Sequence, residues 1–136
     1  MHIVYAREND LACDDFVAVL DASGLAGRRP VGDRDRIERM LRGANLIIVA
    51  RDADSGAVVG VARSLTDFSY CCYLSDLAVD RAYQGRGIGR QLIAETRLAA
   101  GDEAMCLLLS APAAISFYRA IGMPHEDRAF MYPRER

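Results

Sequence analysis

Asp76-Leu77-Ala78-Val79-Asp80-Arg81-Ala82-Tyr83-Gln84-Gly85-Arg86-Gly87-Ile88-Gly89-Arg90 is the stretch on which the reading of this chain turns. It starts inside an extended apolar run, Tyr73 to Val79, and crosses a glycine-rich turn. It continues as Arg90-Gln91-Leu92-Ile93-Ala94-Glu95-Thr96, which has helical character. A strand that delivers a glycine-rich turn to a helix N-terminus makes an anion site. Glycines let the backbone approach closely, unbonded N–H groups converge, and the helix dipole favours negative charge. A phosphorylated ligand is therefore expected on Gln84, Gly85, Arg86, Gly87, Ile88, Gly89 and Arg90. A bare structural turn has no need of three glycines and two arginines.

Spacing decides which phosphate ligand. A P-loop ends in Gly-Lys-Ser/Thr, and this chain has no lysine: all 17 of its basic residues are arginine. Schiff-base chemistry through a lysine is excluded with it. A dinucleotide fingerprint needs G-x-G-x-x-G, whereas glycines 85, 87 and 89 follow G-x-G-x-G without a clean βαβ unit around them. The pattern that fits is Gln/Arg-x-x-Gly-x-Gly/Ala, on Gln84, Gly87 and Gly89. In this form the segment resembles motif A of the GCN5-related N-acetyltransferases (GNAT), which hold the pyrophosphate of acetyl-CoA on this turn. Ala114-Ile115-Ser116-Phe117-Tyr118-Arg119-Ala120-Ile121-Gly122-Met123 is similar to the family's late helix, A-x-x-F-Y-x-x-x-G-F, with Met123 in place of the final Phe.

With 136 residues and 14.9 kDa, the chain reads as one domain, 1–136, with a single core. Hydrophobic content of 51% with 26% charged residues fits an ordinary soluble fold. No run approaches the ~20 apolar residues of a membrane span. The Met1–Arg7 stretch lacks the charged-then-apolar pattern of a leader, so a cytoplasmic location is expected. A net charge of −2 argues against nucleic acid as partner. Arg28, Arg29, Arg34, Arg36, Arg39 and Arg42 interleave with Asp33, Asp35 and Glu38, the pattern of a solvated helix face. Cys13, Cys71, Cys72 and Cys106 have neither C-x-x-C spacing nor a histidine cluster, so free thiols and no metal are expected.

Hydrophobic periodicity places a strand at Ile3–Ala6, a helix from Asp10 to Ser23, and a second helix capped by Asp33. Strands follow at Leu46–Arg51 and Val58–Arg63 around an Asp52–Gly56 turn, then a long strand ending at Val79. The glycine turn opens a helix to about Ala100. A strand at Ala104–Leu109, a helix opened by Pro112 and a final strand at Asp127–Tyr132 complete the order. The expected architecture is α/β: a GNAT-like single domain with a mixed sheet of six to seven strands and four helices.

The chemistry follows from the resemblance. Backbone groups of Leu77, Ala78 and Val79 would hold the pantetheine arm and polarise the thioester carbonyl of acetyl-CoA, the co-substrate. Ser110 stands where many relatives carry Asn and would also bond the cofactor. Tyr118 is the expected general acid for the departing thiolate, since a phenol with a pKa of about 10 stays protonated at neutral pH. The alternative is that it packs the late helix on the sheet. An alkylamine with a pKa near 10.4 is only about one part in two thousand neutral at pH 7, so a base is of value. Asp76 is the candidate, as base or as a structural group; Tyr83 is a lesser one.

Arg29, Phe68, Tyr70 and Tyr73 fall in the segments that would form the acceptor end, and aromatic residues suit a small amine with an apolar body. Gly24-Leu25, Arg29-Pro30, Ala62-Arg63, Thr66-Asp67, Tyr83-Gln84-Gly85 and Phe130–Pro133 resemble the plant and cyanobacterial serotonin N-acetyltransferase group. The expectation is acetyl transfer to a small, arylalkyl-type primary amine, in a protein for which the resemblance also suggests a homodimer. A protein lysine or N-terminal acetyltransferase and a non-catalytic CoA-binding sensor are the competing readings. The acceptor itself is not written in the sequence.

Overall fold

A computed structural model describes residues 2–136. Its elements in chain order are β1 (Ile3–Arg7), α1 (Cys13–Ser23), α2 (Arg34–Gly43), β2 (Leu46–Asp52), β3 (Val58–Thr66), β4 (Cys71–Val79), α3 (Ile88–Ala100), β5 (Met105–Leu107) and α4 (Ile115–Ala120). Short 3-10 turns at Leu25–Arg28, Arg81–Tyr83 and Pro112–Ala114 join them. The strands form one sheet in the order β1-β2-β3-β4-β5, antiparallel except for the parallel β4–β5 pair.

Local chemistry accounts for the boundaries. Gly24, at φ +87°, ends α1 in the left-handed region that glycine enters without penalty. Asp33 caps α2 by accepting from the Arg36 N–H at 3.1 Å. Helices α1, α2 and α3 bury one stripe each and cover both faces of the sheet. Phe16, Leu20, Ile37 and Leu41 of α1 and α2 pack on Ile47, Val49 and Val61. Ile88, Leu92 and Ile93 of α3 pack on Ile48, Ala50, Val59 and Leu74. Each such fully buried side chain contributes about 1.5–3 kcal/mol of apolar transfer. Gly60 lets α3 sit close, because a Cβ there would lie 3.0 Å from Leu92 Cδ1 and 3.2 Å from Ile88 Cγ2.

The sheet has five strands, fewer than the six to seven expected. One expected strand is missing and another is shorter than expected. The strand expected at Ala104–Leu109 is only three residues long, because β5 leaves β4 after Leu107. The segment Asp127–Tyr132 is not a strand: it pairs with nothing, and Phe130 and Tyr132 are 97% and 100% exposed. Strand-forming composition needs a neighbouring strand and a face to bury. Here Arg128 instead turns its N–H and guanidinium back onto the Glu126 carboxylate at 2.6–2.9 Å. No helix among the described residues is long and apolar enough to cross a membrane.

The cysteines are free thiols. Cys72 and Cys106 are register partners across the β4–β5 pair, and burial pushes the Cys106 thiol up to about 11. A thiol held protonated in this way is inert at neutral pH.

Candidate active site

The site begins with a bulge in β4. Asp76 lies opposite Arg63 and Leu74 opposite Ser64, which leaves Ser75 as the extra residue. One inserted residue reverses the side-chain alternation of everything beyond it. Cys72 and Leu74 therefore face α3, and so do Leu77 and Val79, while Ala78 joins the core beneath α1 and α2.

The same strand loses its neighbour at this point. β4 and β5 pair only over Cys71–Tyr73 and Met105–Leu107, and then diverge. The Asp80 N–H donates to Val59 O at 2.8 Å. Main-chain groups alternate along a strand, so Ala78 turns its groups to β3, and Leu77 and Val79 turn theirs into the opening. The Val79 carbonyl accepts from Gln84 Nε2 at 3.0 Å. Among the described residues, no strand pairs with β4 beyond Tyr73 on the side to which the Leu77 N–H turns.

Into this opening runs a cleft of about 700 Å³. Its floor is Leu77, Ala78 and Val79; one wall is the turn Gln84, Gly85, Gly87, Ile88, Gly89 and Arg90 with the start of α3. Gly85 and Gly87 have φ of +80° and +79°, the left-handed region that lets the chain turn tightly just ahead of the α3 N-terminus. Gly89 has a different reason: a Cβ there would lie 2.9 Å from Phe117 Cζ of α4. Two glycines shape the turn, and the third seats the opposite wall.

That opposite wall is α4. Phe117 and Tyr118 meet edge-on with ring centroids 5.1 Å apart, Phe117 over Gly89 and Tyr118 facing the cleft. Burial pushes the Tyr118 pKa above its ordinary value, opposed in part by the charge of Arg29. A second, smaller pocket of about 80 Å³ adjoins, formed by Arg28, Arg29, Leu74, Ser75, Leu108 and Leu109. Tyr118, Leu25, Arg28, Leu77, Ala111 and Ala114 line both spaces, so Tyr118 stands where they meet.

Asp76 lies beneath the smaller pocket and is wholly buried. One of its carboxylate oxygens accepts from Arg29 Nε, the other from Arg63 Nε. Arg29 also donates to Ser75 O at 2.9 Å and Arg28 O at 2.8 Å; Arg63 donates to Ser75 Oγ at 3.0 Å and Met40 O at 3.1 Å. Both carboxylate oxygens thus serve guanidinium groups, and no solvent reaches them. The base role expected as one option for Asp76 is not what this geometry offers; its work is to lock Arg29 and the Ser75 bulge in place.

Other expected residues stand elsewhere. Phe68 and Tyr70 sit on the β3–β4 turn at the far end of β4, roughly 20 Å from Leu77 at about 3.3 Å per residue. Phe68 receives the Arg7 guanidinium on its ring at 5.2 Å. Tyr73 points out of the sheet before the strands part and lines neither space. None of the three aromatics expected at the acceptor end lines either space: Phe68 and Tyr70 are carried to the far end of the strand, and Tyr73 faces out of the sheet. Ser110 turns its hydroxyl to Ala111 O at 2.7 Å and lines neither space. Arg86 lays its guanidinium over the Tyr83 ring at 5.6 Å, and Tyr83 donates to Asp52 at 2.8 Å. Tyr83 is held as a brace against Asp52 and does not line the cleft.

Sequence reasoning gave no cleft role to Ser23, Gly24 or Arg28, at the end of α1 and in the 3-10 turn after it, nor to Arg81 in the 3-10 turn after β4. Arg81 lies on Gly24, where a Cβ would fall 2.2 Å from its Nη2. The αL glycine after α1 was a visible signal, readable only as a helix stop.

The comparisons with known proteins agree with this architecture. A family model described as an acetyltransferase (GNAT) domain matches residues 43–122, more than half of the chain. The chain belongs to the GNAT acetyltransferase family. Among solved structures, this GNAT chain is similar to a GNAT family acetyltransferase from Streptococcus pneumoniae TIGR4, with 23% identity, TM-score 0.77, and 99% and 100% of the two chains covered. It is also similar to the aminoglycoside N-acetyltransferase AAC(6')-Iy in complex with CoA, with 17% identity, TM-score 0.71, and 98% and 95% covered. The same enzyme with the bisubstrate analogue CoA-S-monomethyl-acetylneamine matches at 16% identity, TM-score 0.71, over 98% and 99%. These GNAT structures share the fold of this acetyltransferase.

Proposed function

We propose that this GNAT protein transfers the acetyl group of acetyl-CoA to the primary amine of a small molecule bound beside Tyr118. The observation that carries this is the position of Tyr118 at the junction of a CoA-sized cleft and a separate small pocket. The aminoglycoside acetyltransferase neighbour holds CoA in the same fold, which supports the co-substrate.

When bound, acetyl-CoA supplies an activated acetyl thioester. The turn through Gly85 and Gly87, the α3 N-terminus and Arg90 would hold its phosphates. The outward Leu77 N–H would bond the thioester carbonyl oxygen, a donor of a kind worth roughly 3–4 kcal/mol when charge develops there. The acceptor nitrogen forms a C–N bond as the C–S bond breaks, and Tyr118 gives its proton to the departing sulfur. Burial keeps the phenol protonated beyond its ordinary pKa, so it remains a donor throughout the neutral range.

The aryl component of the acceptor loses its support, since Phe68, Tyr70 and Tyr73 line neither space. A sensor without turnover would have no use for a donor phenol at this junction. The test is Tyr118→Phe: turnover should fall about a hundredfold or more with CoA affinity retained. Equal turnover in the variant removes Tyr118 as the acid.

A further inference from the structure

The smaller pocket carries a charge that restricts its occupant. Its ionisable lining is Arg28 and Arg29, together with the Tyr118 phenol, and its lining contains no Asp or Glu. The nearest acid, Asp76, is beneath the wall and already lies between two guanidinium groups, Arg29 and Arg63. One negative charge against those two leaves this buried cluster cationic, and Arg28 adds to it at the mouth. A polycationic acceptor would meet like charge here, at a short range where screening is weak.

Arg29 also has donors to spare. Nε serves Asp76, one Nη1 hydrogen serves Arg28 O and one Nη2 hydrogen serves Ser75 O. A guanidinium carries five N–H bonds, so one hydrogen on each Nη nitrogen remains, on a planar group already held rigid. Paired N–H donors of this kind match a carboxylate.

We propose that the acceptor is an amine that also bears a carboxylate, an amino acid-type skeleton, with Arg28 and Arg29 binding the carboxylate and its amine presented towards Tyr118. This rests on the acetyltransferase reading above and names its substrate class. The same cationic surroundings would lower the acceptor's ammonium pKa and favour the neutral amine, which supplies what a base would otherwise have to provide. The transfer balances: the neutral amine nitrogen gains the acetyl carbon and loses a proton to solvent, the sulfur gains the proton of Tyr118, and the phenolate regains a proton from solvent.

The experiment compares free-thiol release from acetyl-CoA with alanine, leucine and aspartate, each against its amide and against the amine left when the carboxylate is removed. Aminoethylphosphonate serves as a different anion. The acids should show kcat/KM about tenfold or more above their amides, the size of one or two charge-assisted hydrogen bonds. Arg28→Gln, at an exposed position, should shrink that ratio by lowering kcat/KM for the acids more than for the amides, and Arg28→Lys, which keeps the charge, should restore part of it. Acetylation of the amides or decarboxylated amines as fast as the acids overturns the carboxylate pocket and leaves the acetyltransferase reading standing; preference for the phosphonate alone overturns the carboxylate in favour of another anion. Calorimetry of the CoA-loaded protein separates the remaining cases. Binding of the acids that Arg28→Gln weakens, without any acetyl transfer, upholds the pocket and removes the acetyltransferase reading. No transfer and no binding removes both.

Discussion

Asp76 brings a full charge to a place no water reaches, and it is tolerated there because two arginines share it. Replacing that carboxylate by an amide leaves two guanidinium groups facing each other in the interior. Asp76→Asn should lower unfolding free energy by about 3–5 kcal/mol, the usual cost of breaking a buried ion pair from one side. Urea denaturation followed by circular dichroism measures this. A catalytic base would behave otherwise, with turnover lost and stability kept. Residue type alone left both roles open for Asp76; its two partners lie 47 and 13 positions away in the chain, a distance that no local pattern spans.

At the level of elements, the turn at Gln84–Gly89 and α4 form one device although they meet only in space. Gly89→Ala would press a methyl group on Phe117, which must move and carry Tyr118 with it. Weaker CoA binding and a lower kcat should appear together, at least tenfold in kcat/KM for roughly 1.4 kcal/mol of misplacement, by steady-state kinetics. The β3–β4 turn holds a second device. One Asp67 oxygen accepts from the N–H groups of Ser69, Tyr70 and Cys71 at 2.8–3.0 Å. These bonds lower its pKa from 3.8 to about 2, so the stabilisation is complete above pH 3.8 and lost as pH falls towards 2. Asp67→Ala should therefore melt below the parent protein at neutral pH, with the gap closing through that acid window in a Tm series.

For the whole molecule, the decisive geometry is a sheet that stops being a sheet. Helices cover both faces, yet β4 and β5 part beyond Leu107, and the cleft between them is lined by α1, α3 and α4 at once. A ligand spanning that opening joins elements that otherwise touch only around its rim. CoA at about a hundred times its Kd should stabilise the fold by about 2.7 kcal/mol, roughly a 10 °C rise in Tm for a domain of this size. Thermal unfolding with and without CoA checks it; an unmoved Tm would remove the cleft as the cofactor site.

The sequence by itself determined the order of elements, the glycine turn at a helix start, the α2 cap at Asp33 and the family resemblance, all consequences of spacing within a few residues. Periodicity and turn chemistry act at that range, so they can be read from the chain. Tertiary structure alone decided that Asp127–Tyr132 finds no strand to pair with, that Phe68, Tyr70 and Tyr73 lie away from the site, and that Asp76 braces Arg29. It also showed that Gly89 answers to Phe117 and that Arg28 and Arg29 face an acid-free pocket. Such facts depend on which distant residues share a wall, and the bulge at Ser75 shows why: one extra residue exchanges the faces of everything after it.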